Sequence, residues 1–373
     1  MLIFHVFAIS GAIDKRIVGD AAAVLGSQGP ILFFVISGFL LYRPFVAARA
    51  SEARAPSTAR YARRRVLRIV PAYWFALTAL AIFPGIAGVF TSDWWRYYFF
   101  FQLYSERTIG QGIPVAWTLD VEVTFYILLP FWAMAMQRLR LGSGRWAWLR
   151  ADVAGLALVA LGGVAIQVAA ARNLVSDLLT TTFLGECTWL ALGMALAVAS
   201  VAVEHAESQP RIVSAVVRRP GLCWLGAAAA FVGITAVLQP GGLFGIVRAI
   251  AESQPIAKTL GAIALGIVLH TLLVAPAVFG QGAGGLPRRV LAAAPLAWLG
   301  LVSYGFYLWH LTVAEMLGLT SDPHFSATGL GLVANVHHLT TLVLFVATFA
   351  VTVAFAAGSY YVVELPFLRR KER

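Results

Sequence analysis

Apolar residues run along this chain in long unbroken blocks separated by short polar stretches, and block length sets the first expectation. A helix rises about 1.5 Å per residue, so about 20 mainly apolar residues cross a hydrocarbon core of about 30 Å. The blocks that approach or exceed this length are Pro30–Ala47, Val66–Val89, Val115–Met136, Val153–Ala171, Thr182–Val203, Leu222–Leu238, Ile256–Gly280, Val290–Leu317 and Leu339–Val363. An initial run from Met1 to Ile13 is too short to span. The pattern predicts an all-α polytopic membrane protein of about ten transmembrane helices with a truncated first helix. No polar block stands before or after the apolar ones, so residues 1–373 read as a single membrane domain.

Two kinds of segment depart from this pattern. Trp94–Tyr104 (WWRYYFFFQLY) is aromatic and short, which predicts an interfacial or re-entrant piece, because Trp and Tyr favour the headgroup level. Gly280–Gly285 and Gly26–Gly29 have the composition of short linkers.

Basic residues then orient the spans. Cytoplasmic connections are enriched in Lys and Arg. Connections after every second span, together with the C-terminus, hold 21 of the 28 basic residues, beginning with the eight arginines from Arg43 to Arg68. Both termini are therefore expected to be cytoplasmic, with Arg49–Arg68 inside and Thr320–His338 outside.

Composition agrees with lipid as the solvent: 60% of residues are hydrophobic and 12% charged, against about 45–50% and about 25% in soluble domains. The net charge of +11 does not point to nucleic acid, because the basic residues are dispersed among inter-helix connections rather than gathered in one patch. Cys187 and Cys223 lie at apolar segments without metal-ligand spacing, so they are expected to be packing residues and no metal site is expected.

Ionisable groups inside lipid are expensive and mark candidate chemistry. Four stand out: His5, Glu122, His310 and Glu364. His5 as neutral imidazole can accept a proton from a hydroxyl, or it can serve as a hydrogen-bonded packing residue. Asp120 and Glu122 lie two apart, about 200° around a helix, so only one is expected to face the interior. Glu122 is the deeper, a catalytic group or a structural partner for Arg or His; Asp120 is expected at the helix start or near headgroups. Arg64, Arg65 and Arg68 at a cytoplasmic mouth suit a polyphosphate such as coenzyme A, although anionic lipid would also satisfy them. Ser37–Gly38 lacks the pattern of a nucleophile elbow, and small residues in an apolar helix usually permit close helix approach.

In order along the chain, His5, Phe33–Leu40 (FFVISGFL), Arg64–Tyr73 (RRVLRIVPAY), Trp117–Tyr126 (WTLDVEVTFY), Ser303–His310 (SYGFYLWH) and Glu364–Pro366 (ELP) resemble the motifs of acyltransferase family 3, the membrane O-acyltransferases of bacteria. The resemblance implies a plasma-membrane enzyme moving an acyl group, acetyl or another short chain, from acyl-CoA to a hydroxyl of a sugar, glycan or glycosylated metabolite. It implies His5 as general base in a direct transfer or as the carrier of an acyl-histidine intermediate, Glu122 orienting it or the acceptor, Arg64, Arg65 and Arg68 gripping the donor, and Ser37, Tyr304, His310 and Glu364 around the substrate. Acyl-CoA is then a co-substrate and no tightly bound cofactor is expected. Family members usually carry an arginine ten residues before the first-helix histidine, a position that would precede Met1, and often an aspartate where this chain has Ile31. The rival reading is a transporter or flippase, which would predict inverted repeats or paired broken helices that the chain does not display.

Overall fold

The computed structural model describes residues 1–12, 16–144, 146–238, 255–280, 284–318 and 341–370. Lys15, Arg145, Arg248, Lys371, Arg373, the middle of the Gly280–Gly285 stretch and the Thr320–His338 segment lie outside the described residues.

Hydrophobic blocks become helices because lipid offers the backbone no hydrogen-bond partner, and a helix satisfies its own. In chain order they are α1 (Leu2–Ile9), α2 (Arg16–Ala50), α3 (Thr58–Ile82), α4 (Trp94–Tyr98), α5 (Trp117–Arg138), α6 (Ala147–Ala171), α7 (Asp177–Thr181), α8 (Phe183–Glu204), α9 (Arg211–Arg218), α10 (Pro220–Leu238), α11 (Pro255–Val278), α12 (Leu286–Leu291), α13 (Ala294–Gly318), α14 (Thr341–Ser359) and α15 (Leu365–Arg369). Among the described residues nine helical segments are long and apolar enough to cross a membrane, and no strand occurs. The protein is an all-α, multi-pass membrane protein. Each of the nine spans overlaps one predicted block. Gly26–Gly29 is no linker: it continues α2, where a side chain on Gly26 would collide with the ring of Phe4.

The described chain forms two compact units. The first comprises Met1–Gly26, Ala59–Val123 and Ala294–Arg373; the second comprises Ser27–Thr58 and Thr124–Ala293.

In the first unit α1 packs on α13 and α14. Leu2 and Val6, four apart and on one face, bury against Ala314 and Leu344. Gly305 lets α13 approach α14 closely, since a Cβ there would lie 3.0 Å from the Ala356 Cα. The Trp94–Tyr104 segment is not one helix but α4 followed by a tight turn at Gln102–Tyr104. It is fastened to α3, with the Tyr73 hydroxyl donating to the Tyr97 carbonyl (2.9 Å) and the Trp74 indole to the Tyr98 carbonyl (2.8 Å).

In the second unit α6 packs on α8 and α10 on α11. Small residues set the α2 and α8 contact: an added Cβ would meet the Leu190 carbonyl oxygen at 2.3 Å from Gly38, and the Val35 carbonyl oxygen at 2.0 Å from Gly193. Near the ends of α2 and α6 the Tyr42 hydroxyl and Arg49 (2.6 Å) both bond the fully buried Asp152 carboxylate. Cys187 and Cys223 are free and buried, as expected of packing residues.

Candidate functional site

Within the first unit the structure brings two predicted residues together. His5 on α1 and His310 on α13 stand with ring centroids 5.2 Å apart. The Leu2 and Val6 stripe that docks α1 also turns His5 toward α13, because residues three apart share a helix face. No hydrogen bond joins the His5 imidazole to a described residue.

His310 is fixed more tightly. Its Nδ1–H donates to the Tyr307 carbonyl one turn earlier (2.7 Å), and the Phe306 ring stacks on it at 6.0 Å and 7°. A neutral imidazole carries one proton, so a donating Nδ1 leaves Nε2 as a lone pair. That Nε2 is buried and has no hydrogen-bond partner among the described residues. It is thus a base held in one tautomer with its lone pair not engaged in a hydrogen bond to a described residue.

Tyr307 makes this arrangement rigid. Its hydroxyl donates to the Val115 carbonyl and accepts from the Thr118 hydroxyl at the start of α5. Tyr307 lies in the Ser303–His310 motif, where sequence assigns it no role; its signal is the three-residue spacing to His310, which lets a backbone carbonyl reach the imidazole.

Beside His310 lies a cavity of about 410 Å³, lined by Met1, Leu2, Ile3, Ser303, Phe306, Tyr307, His310, Phe345 and Phe349. On α13, Tyr304 points elsewhere, its hydroxyl donating to the Ile69 carbonyl (3.0 Å) just before Pro71 of α3. Glu364 is 2% exposed, and neither carboxylate oxygen has a hydrogen bond to a described residue. Arg68 and Tyr304 both lie within its electrostatic range.

Asp120 and Glu122 are both buried, at 0% and 1% exposure, so the expectation that only one faces inward fails. The segment between α4 and α5 folds over the start of α5 and covers the second face: the Leu103 N–H donates to the Asp120 carboxylate (2.7 Å). Asp120 therefore fastens the loop rather than meeting headgroups. Glu122 lies within electrostatic range of Tyr61, Tyr304 and Tyr307; it is His310 that the structure sets against His5.

The arginines divide along α3. Arg63 donates to the Arg370 carbonyl (2.8 Å), Arg64 is exposed, and Arg65 and Arg68 are half-buried. Ser37 belongs to the second unit, next to Gly38 in the small-residue contact with α8. Among the described residues no group of three His, Cys, Asp or Glu side chains is arranged to hold a metal ion.

The sequence pattern of a family described as an acyltransferase domain, acyltransferase family 3, matches residues 1–361, nearly the whole chain. The chain belongs to acyltransferase family 3. Two curated proteins of the rhizobia are similar to parts of this family member. Nodulation protein 10 of Rhizobium leguminosarum bv. viciae is 30% identical over 160 residues, 37% of this chain and 39% of that protein. The exopolysaccharide production protein ExoZ of Rhizobium meliloti (strain 1021) is 32% identical over 110 residues, 27% of this chain and 32% of that protein. The chain thus matches less than half the length of either relative. No solved structure matches.

Proposed function

We propose that this protein is a plasma-membrane O-acyltransferase that moves a short acyl group, such as acetyl, from acyl-CoA to a hydroxyl of a sugar, glycan or glycosylated metabolite. The observation that carries the reading is the His5 and His310 pair, with the open Nε2 of His310 at a cavity. Family membership supports acyl transfer, and a relative named for exopolysaccharide production supports a carbohydrate acceptor.

The chemistry needs a base. As the acceptor hydroxyl attacks the thioester carbonyl, its proton passes to the imidazole pair; the C–O ester bond forms and the C–S bond breaks. The same proton then goes to the departing thiolate, giving free CoA and no net proton change. His5 acts as base, with His310 beside it as a second proton-accepting ring in a fixed tautomer. Arg64, Arg65 and Arg68 supply guanidinium groups for the donor phosphates. Glu364 keeps Arg68 from standing uncompensated while no donor is bound.

Purified protein in detergent is given acetyl-CoA and de-esterified cell-envelope glycan, with free thiol and ester formation both recorded. One thiol released per ester formed supports the reading. No ester and no thiol release from folded protein overturns it, and transport of the donor without thioester cleavage returns the transporter alternative.

A further inference from the structure

The cavity beside His310 has mostly hydrocarbon walls, and the Met1 amino group lies within electrostatic range of His310. Leu2, Ile3, Phe306, Phe345 and Phe349 present hydrocarbon, and polar side chains enter the lining only from α13. Ser303 donates its hydroxyl proton to the Gly300 carbonyl (2.8 Å). The Tyr307 hydroxyl is taken by Val115 and Thr118, and His310 Nδ1 by the Tyr307 carbonyl. Of the polar side-chain atoms in the lining, His310 Nε2 is left without a partner.

A sugar placed here would bring several hydroxyls to a wall with few polar groups, and polar groups taken from water without partners are disfavoured. A hydrocarbon chain needs no partner and gains from burial. The volume of about 410 Å³ lies near the lower end of ligand pockets, about 300–1,000 Å³.

We propose that this cavity receives the acyl chain of the donor, and that Phe345 and Phe349 on α14 limit its length. The inference rests on the acyl-transfer reading and adds a chain-length determinant to it. The two rings pack as a pair, with centroids 6.4 Å apart and planes 17° apart, and Phe349 abuts Phe306 at 5.8 Å. They form an aromatic wall running from α14 to the ring stacked on His310. An acyl chain lying along this wall would keep its carbonyl at the imidazole and its methyl end at the phenylalanines.

The test uses the whole protein in detergent, with acetyl-, butyryl- and octanoyl-CoA as donors and de-esterified envelope glycan as acceptor. The ratio of kcat/KM for octanoyl to acetyl donor is expected to rise about tenfold or more in Phe349→Ala and Phe345→Ala, because a few methylenes of pocket space discriminate on that scale. Should the alanine variants fold poorly, Phe345→Leu and Phe349→Leu are read the same way, with a smaller rise. An unchanged donor ratio in folded variants overturns the proposal, as does a change confined to the acceptor KM. Wild-type protein that transfers from none of the three donors overturns the acyl-transfer reading itself, a result distinct from transfer with an unaltered preference.

Discussion

Each unit of this protein buries a histidine at 1% exposure, and the two are held differently. In the second unit both nitrogens of His270 face carbonyl oxygens, Gly266 at 2.7 Å and Gln28 at 3.3 Å, so whichever nitrogen carries the proton donates it and the other is covered by an oxygen. In the first unit His310 is anchored through Nδ1 alone and its Nε2 faces no partner among the described residues. The buried carboxylates repeat the contrast. Asp152 in the second unit bonds Tyr42 and Arg49, whereas Glu364 in the first has neither oxygen hydrogen-bonded to a described residue. Buried polar groups in folded proteins are nearly always satisfied, so open ones need a purpose. The contrast assigns scaffold work to the paired groups and chemistry to the open ones. Glu186 in the second unit qualifies it, since one of its oxygens is also buried without a partner.

Substitutions can break or sharpen this contrast. The largest effect is expected at His5: His5→Gln should lower turnover per folded molecule by about 10²–10⁴-fold, the usual contribution of a positioned base. Turnover is measured with folded protein quantified, and near-normal turnover in His5→Gln would remove it from the proton-transfer step. Next comes Asp152→Ala, which leaves Arg49 buried without its carboxylate. Breaking a buried pair costs about 3–5 kcal/mol, so thermal unfolding in detergent should shift sharply downward, while turnover of the molecules that remain folded stays near wild type. A fall in turnover matching that of His5→Gln would erase the division between units.

The spans were legible in the sequence because lipid imposes a length and a composition that few other settings require. Gly26–Gly29 was misjudged for a related reason: glycine that marks a loop in water is a contact surface in a membrane helix, and here it lies against Phe4. The site was legible in part. His5, His310 and Glu364 stood out as ionisable groups in apolar runs, but the 5.2 Å approach of His5 and His310 joins residues about 300 positions apart, which no spacing rule reports. Asp120 and Glu122 are both buried although they lie two apart on α5, because the loop that carries Leu103 supplies a second buried face.

The donor arginines come next in size. Arg64→Gln, Arg65→Gln and Arg68→Gln should each raise the acyl-CoA KM about tenfold or more, since a charge-assisted contact is worth about 1.5–3 kcal/mol. Unchanged donor KM values in steady-state assays would leave the cluster as a signal of cytoplasmic location only. The smallest effect is expected at Tyr307→Phe, which keeps the ring and the carbonyl that holds His310 but removes the hydroxyl bonded to Val115 and Thr118. Two lost hydrogen bonds of about 1 kcal/mol each should loosen the His310 turn and lower kcat by about tenfold, with the donor KM unchanged. A loss in stability alone, with kcat intact, would make Tyr307 a packing residue.

The two buried histidines provide the most direct test. His310→Gln and His270→Gln are purified in parallel, and ester formed per folded molecule is measured with the same donor and acceptor. Loss of turnover by about 10²-fold or more in His310→Gln, with turnover near wild type in His270→Gln, is the result predicted for chemistry in the first unit and scaffold in the second. Equal losses in the two variants, or a larger loss in His270→Gln, would contradict that assignment.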